Sequence, residues 1–102
     1  MFGLKDTQIQ AIQSVFKNHS RIIKAVLYGS RAKGNYRSGS DIDITLIGDD
    51  LDLSTLARIE HELDELFLPY KIDLSLFHQI KNPDLIDHIN RIGIVVYEKA
   101  EA

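Results

Sequence analysis

The sequence of 102 residues contains no cysteine and no long apolar run. Without thiols, the chain cannot form disulfides, use a thiolate nucleophile or bind zinc through cysteine. No apolar stretch approaches membrane-spanning length, and the N-terminus lacks the apolar core of a signal peptide. Internal repeats, linkers and low-complexity segments are also missing. These absences favour a cytoplasmic protein, not associated with a membrane, that forms a single domain over residues 1–102.

Acidic residues only slightly outnumber basic ones, but the two kinds are unevenly distributed along the chain. The formal net charge of -3 gives no nucleic-acid-binding signature, so we expect no direct binding of nucleic acid. Between Asp6 and Asp41 there is no acidic residue, but there are six basic ones: Lys17, Arg21, Lys24, Arg31, Lys33 and Arg37. From Asp41 to Glu65 there are nine acidic residues and, of lysine and arginine, only Arg58. This asymmetry predicts a cleft with one basic and one acidic wall.

The pattern of apolar residues predicts an α/β (α+β) fold with a small mixed sheet of about four strands and helices packed on one face. The predicted order is α-β-β-α-β-α-β. Helices are expected over 6–18 and 53–67, with a last one opened by Asn82-Pro83 and ended by Gly93. Strands are expected over 22–28, 41–47, 71–77 and 94–97.

Three aspartates occupy the polar faces of two predicted strands. Asp41 and Asp43 are two residues apart, so their side chains leave the same face with Cα atoms about 6.6 Å apart. Such a pair repels unless a cation lies between, and Mg²⁺ takes one or two carboxylates together with substrate phosphates. If the two strands are neighbours, Asp73 lies roughly 5 Å across from the pair. Three carboxylates suffice for a two-metal site of the kind used in phosphoryl displacement.

A Gly-Ser turn after the first predicted strand complements these carboxylates. Gly29-Ser30 before a helical turn offers backbone N–H groups and a hydroxyl to phosphate oxygens, and glycine permits their close approach. Arg31, Lys33 and Arg37 follow and can neutralise a triphosphate. Alone, each feature has a plainer interpretation: a simple turn, solvated strand-end acids or ordinary surface cations. No P-loop pattern is present.

The spacing Gly29-Ser30-x10-Asp41-x-Asp43 resembles the signature of the polymerase-beta-type nucleotidyltransferase superfamily. The fuller text GSRAKGNYRSGSDIDITL, with KIDLSLF and INRIGIVVYEK further on, resembles its minimal nucleotidyltransferase (MNT) branch. The likeness extends from about Val26 to Lys99. It implies the nucleotidyltransferase fold and Mg²⁺-dependent transfer of AMP from ATP to an acceptor hydroxyl, with two metal ions expected.

The resemblance also implies roles for individual residues. Gly29 and Ser30 would bind the phosphates, and Asp41 and Asp43 would hold the metal ions. Asp73 would help to bind the catalytic metal and assist deprotonation of the acceptor.

Minimal members of this branch are often antitoxins encoded beside a helical HEPN-domain toxin. The resemblance therefore implies adenylylation of a tyrosine on such a partner. The sequence leaves the oligomeric state open, with a homo- or hetero-oligomer as alternatives. Because no segment follows the last predicted strand, we expect a partner to supply the acceptor site. Two alternatives remain: an antitoxin that neutralises its partner by docking alone, and a transferase acting on a small molecule.

The histidines and tyrosines give weaker signals. His19, His61, His78 and His88 lack the mutual spacing of metal ligands. Tyr36, in the loop, could contact a base or a partner, or do neither.

Overall fold

The computed structural model describes residues 1–100, which fold around one four-stranded sheet. The helices are α1 (Asp6–Lys17), α2 (Ser30–Lys33), α3 (Leu53–Asp64) and α4 (Pro83–Ile92), with a 3₁₀ turn at Phe77–Gln79. The strands are β1 (Ile22–Tyr28), β2 (Ile42–Gly48), β3 (Ile72–Leu76) and β4 (Ile94–Glu98). Over residues 1–100, no helix combines the length and apolar character needed to cross a bilayer.

The sheet is mixed, as the sequence predicted. Its strand order is β3-β2-β1-β4, with β1 antiparallel to both β2 and β4 and with β2 parallel to β3. The two aspartate-bearing strands are therefore neighbours, which is the condition under which Asp73 was expected to lie beside the Asp41–Asp43 pair. Because β3 lies at an edge, the polar face of that strand can be approached from outside the sheet.

The helices divide between the two faces of the sheet. Helices α1 and α3 cover the face that contains Leu27 and Ile44, where the larger apolar core lies. Helix α4 packs on the opposite face, where its Ile89 meets Val26 and Tyr28 of β1. The expectation of helices on one face thus holds for α1 and α3 but not for α4. The physical reason is that Val26 and Tyr28 are apolar residues on the otherwise polar face, and α4 shields them from water.

Capping residues fix the starts of α3 and α4. Asp52 accepts a hydrogen bond from the Thr55 backbone N–H at 2.8 Å, and Asn82 caps α4 by accepting from the Asp84 N–H at 2.9 Å. Helix α3 ends earlier than predicted because the chain has left the helical conformation by Phe67, whose φ is +53°.

Candidate active site

Three side chains form a row across the end of the sheet. Tyr28 of β1 pairs in register with Asp43 of β2, and Asp43 pairs in register with Asp73 of β3. Residues in register on neighbouring strands project to the same face, so the carboxylates of Asp43 and Asp73 lie on the same face of the sheet. Asp41 lies one residue before β2 and is exposed to solvent. The structure thus places all three predicted aspartates at one end of the sheet.

The electrostatics of this row indicate an uncompensated negative charge. Burial raises the pKa of Asp43, and the neighbouring carboxylates of Asp73 and then Asp41 raise it further. Burial likewise raises the pKa of Tyr28, to which the charges of Asp43 and Asp73 add. Each shift reports the cost of holding another negative charge at this position, and a bound cation would reverse it.

Gly29 connects the turn to this carboxylate row. Its φ of +77° and ψ of -155° lie in a region that is essentially restricted to glycine. A Cβ atom at this position would also overlap Asp43 Oδ2. Glycine is therefore required for two independent reasons, one of backbone conformation and one of space. As the sequence predicted, the turn and the carboxylate strand are brought together.

Contrary to the prediction from the sequence, not all hydrogen-bond donors of the Gly29-Ser30 turn are available to a phosphate. The Gly29 backbone N–H donates to His88 Nε2 at 3.1 Å, so this amide is already engaged. Within residues 1–100, neither the Ser30 backbone N–H nor Ser30 Oγ has a hydrogen-bond partner. The hydrogen-bonding groups available to a phosphate at this turn are therefore those of Ser30.

Arg31 does not lie where a phosphate contact would require it. Its side chain is only 2% exposed and donates to the backbone carbonyl oxygens of Phe2 at 2.7 Å and Ser40 at 2.9 and 3.2 Å, with a longer contact of 3.5 Å to Ser38. The prediction that Arg31 binds the triphosphate is corrected on this point, because all of its donor groups face the protein interior. Arg31 instead fastens the loop before β2 to the N-terminal segment.

Two tyrosine rings also contact the guanidinium group of Arg31. The Arg31 Cζ atom lies 5.0 Å from the centroid of the Tyr36 ring and 4.8 Å from that of Tyr70. Both distances are within the range of a cation–π interaction. Tyr36, whose role was left open by the sequence, therefore contacts the protein's own buried cation.

Lys33 and Arg37 remain the cations available to a ligand. Both are exposed, and within the described part of the chain neither side chain forms an ion pair. Lys33 ends α2, and Arg37 lies in the following loop, where its backbone N–H donates to Ser40 Oγ at 2.9 Å. These two side chains can therefore reach toward an anion at the turn.

The residues fit Mg²⁺ only in partnership with phosphate oxygens. In the range 1–100, no three His, Asp or Glu side chains converge closely enough to hold a metal ion by themselves. The facing carboxylates of Asp43 and Asp73, with their mutual repulsion, provide the hard oxygen ligands that Mg²⁺ prefers. Because Mg²⁺ is often held by one or two carboxylates together with substrate phosphates, this donor set suits an ion that binds with a nucleotide.

His88 is the residue of this site that the sequence interpretation missed. Its spacing from the other histidines carries no signal, and its partner Gly29 is 59 residues away. Helical periodicity was the available clue, since His88 lies next to Ile89 and three residues after Leu85 on the sheet-facing side of α4.

Comparisons with known proteins bear on the fold and the family of this chain. A Haemophilus influenzae protein named "Probable protein adenylyltransferase MntA" is 25% identical over 97 residues, covering 94% of this chain and 84% of the relative. A crystal structure of a toxin-antitoxin with AMP-PNP has a TM-score of 0.71 at 21% identity, covering 94% of this chain and 75% of the other. A structure of a tri-AMPylated Shewanella oneidensis HEPN toxin in complex with MNT antitoxin has a TM-score of 0.69 at 17% identity. The match covers 94% of this chain and 74% of the other.

The similarity to these two solved structures shows the fold. The family match extends over most of the chain and is not confined to the signature motif. Residues 10–102 match the family described as Polymerase beta, Nucleotidyltransferase. This range includes the turn, all three aspartates and helix α4. The chain therefore belongs to the polymerase beta nucleotidyltransferase family, and it is an enzyme of the nucleotidyltransferase class.

Proposed function

We propose that this chain, as one minimal domain in the cytoplasm, is a Mg²⁺-dependent adenylyltransferase that modifies a partner protein. It transfers AMP from ATP to a tyrosine hydroxyl of a helical HEPN-domain toxin and acts as its antitoxin. The observation that carries this proposal is the contact between Gly29 and Asp43, with Asp73 facing Asp43 from the next strand. This arrangement puts a phosphate-binding turn beside a carboxylate pair that requires a cation.

Each polar group of the site has a task in this reaction. The Ser30 N–H and hydroxyl bind phosphate oxygens, while Lys33 and Arg37 neutralise the triphosphate. Asp41, Asp43 and Asp73, together with phosphate oxygens, would hold Mg²⁺, and this ion would supply positive charge against the developing negative charge. The acceptor oxygen bonds to the α-phosphorus, the bond from that phosphorus to the leaving oxygen breaks, and pyrophosphate departs. Asp73, exposed on the edge strand, receives the proton of the acceptor hydroxyl.

A protein acceptor is supported by the relatives. The similar Haemophilus influenzae protein bears the name of a protein adenylyltransferase, and a similar fold occurs in a complex with a tri-AMPylated HEPN toxin. An acceptor on a partner protein can approach from the open edge of the sheet beside β3. The donor set of the turn and carboxylate row contains nothing specific for adenine, so the preference for ATP rests on the relatives.

The test uses the purified chain, labelled ATP, Mg²⁺ and the product of the neighbouring gene. Intact mass measurements should show one or more AMP units added to the neighbour and none added with Asp43→Asn. Asp49→Asn is the matched control, because Asp49 is exposed in the turn after β2 and away from the row. A stable complex without any mass change would replace this proposal by neutralisation through docking alone.

A further inference from the structure

Helix α4 places one imidazole directly against the phosphate-binding turn. His88 Nε2 accepts the Gly29 backbone N–H at 3.1 Å, and its ring meets the Tyr28 ring edge-on with centroids 6.3 Å apart and an interplanar angle of 81°. The neighbouring Ile89 is 4% exposed and packs on Val26 and Tyr28. The imidazole is thus held by packing on one side and by a hydrogen bond on the other.

The direction of this hydrogen bond defines the state of the ring. A backbone amide can only donate, so Nε2 must present its lone pair and the ring proton must be on Nδ1. The bond joins residues 59 positions apart and is partly buried. In the described residues 1–100, the Gly29 amide has no other acceptor, so removing His88 would leave a partly buried donor unsatisfied.

The backbone that this bond holds includes the position of the site that only glycine can readily occupy. Gly29 has a conformation that other residues cannot readily adopt, and the next residue, Ser30, carries the unpartnered N–H and hydroxyl. Glycine also has access to many other conformations, so the turn keeps this one only where surrounding contacts select it. The hydrogen bond from His88 is a constraint of this kind, and it acts on the residue that touches Asp43.

We propose that His88 is a positioning residue for nucleotidyl transfer. By accepting the Gly29 N–H, it fixes the turn so that the donor groups of Ser30 face the triphosphate and the Gly29 Cα stays against Asp43. A leucine at position 88 could pack on Tyr28 but could not accept the hydrogen bond. This inference rests on the proposed function for the identity of the ligand and goes beyond it by adding helix α4 to the nucleotide-binding machinery.

The test compares His88→Gln, which retains an acceptor at the end of a side chain, with His88→Leu, which removes it. His61→Leu is the control because His61 is exposed on α3. With Mg²⁺ and a non-hydrolysable ATP analogue, His88→Leu should bind about tenfold more weakly, as expected for loss of about one hydrogen bond, whereas His88→Gln should stay within about threefold of wild type. In turnover, His88→Leu should raise KM for ATP more than it lowers kcat. If His88→Leu only reduced the fraction of folded protein, the apparent kcat would fall and KM would stay unchanged.

Amide exchange distinguishes failure of this inference from failure of the proposed function. By NMR, His88→Leu should accelerate hydrogen exchange at both Gly29 and Ser30, and His88→Gln should restore protection. Wild-type exchange at these amides in His88→Leu would overturn the role of His88. If the wild-type chain binds no nucleotide, the proposed function fails, and the exchange data still decide whether His88 fixes the turn.

A measurement on the unmodified chain covers the case in which His88→Leu does not fold. A scalar coupling across the hydrogen bond between Gly29 N and His88 Nε2 should be observable by ¹⁵N NMR. Its absence, with the Gly29 amide exchanging as fast as an exposed one, would overturn the inference without any substitution.

Discussion

Asp43 Oδ2 occupies the space in which any residue other than glycine at position 29 would carry its Cβ atom. The two residues are 14 positions apart in the sequence and belong to neighbouring antiparallel strands or their ends. The contact shows why the turn and the acidic strand occur together in one motif. Each half of the motif sets the position of the other.

Substitution of Gly29 by alanine should cost more than substitution of either of two other glycines. Gly29→Ala adds a steric overlap with Asp43 to an unfavourable φ, so we expect a loss of several kcal/mol in the free energy of unfolding and loss of transfer activity. Gly34→Ala, at φ +87° in open space, should lose only about 1 kcal/mol, and Gly39→Ala almost nothing. Urea denaturation ranks the three; equal losses for Gly29 and Gly34 would mean that the Asp43 contact is unimportant.

Removing the charge of Asp43 should abolish activity and stabilise the fold. Asp43→Asn should lower the rate at least about 100-fold, because even outer partners of metal ligands contribute 10–100-fold. The folded pKa of Asp43 is raised, so this carboxyl contributes stability that is present below its ordinary value of 3.8 and lost as pH rises through the raised value.

The pH dependence of unfolding tests this linkage. In chelator-treated buffer at neutral pH, Asp43→Asn should have the higher Tm, and its advantage should shrink as the pH falls toward 3.8. Asp49→Asn, at an exposed position away from the row, is the matched control. A lower Tm for Asp43→Asn at neutral pH would contradict the assignment of Asp43 as a destabilising charge.

Arg31 should be essential for stability and intolerant of lysine. Arg31→Lys keeps the charge but loses the planar fork that reaches the Phe2 and Ser40 carbonyls and stacks between two tyrosines. We expect a loss of about 2 kcal/mol or more in the free energy of unfolding, measured by urea denaturation. The exposed Arg37→Lys should change stability by less than about 0.5 kcal/mol. Equal effects of the two substitutions would refute the structural role of Arg31.

Lys33 and Arg37 should act on ATP binding and leave stability unchanged. Replacing either by alanine should raise KM for ATP about three- to tenfold at low salt, with a smaller effect at high salt because exposed charges are screened. Lys17→Ala on α1 provides the control, since Lys17 is exposed on a helix that packs on the opposite face from the aspartates. An unchanged KM in both variants would remove these cations from the site.

The sequence predicted the parts of the site that depend on local pattern. Alternation of polar and apolar residues identified the strands of Asp43 and Asp73. The proximity of the two carboxylates was expected only on the assumption that these strands are neighbours. Arg31 was misread because a sequence records its charge but not its burial. That burial depends on the carbonyls of Phe2 and Ser40 and on the rings of Tyr36 and Tyr70. His88 was missed for a related reason, since its hydrogen bond to Gly29 links segments that no local pattern connects.

The long reach of these contacts has a consequence for synthesis of the protein. The turn lies early in the sequence, but the Gly29 amide has its hydrogen-bond acceptor only when residue 88 is available. Arg31 donates to the carbonyl oxygen of Phe2, 29 positions before it. Contacts between distant segments form late because loop closure must precede them. A nascent chain halted before α4 would therefore carry the whole signature motif without a finished site. In this protein, competence to transfer a nucleotide should appear only after helix α4 has left the ribosome.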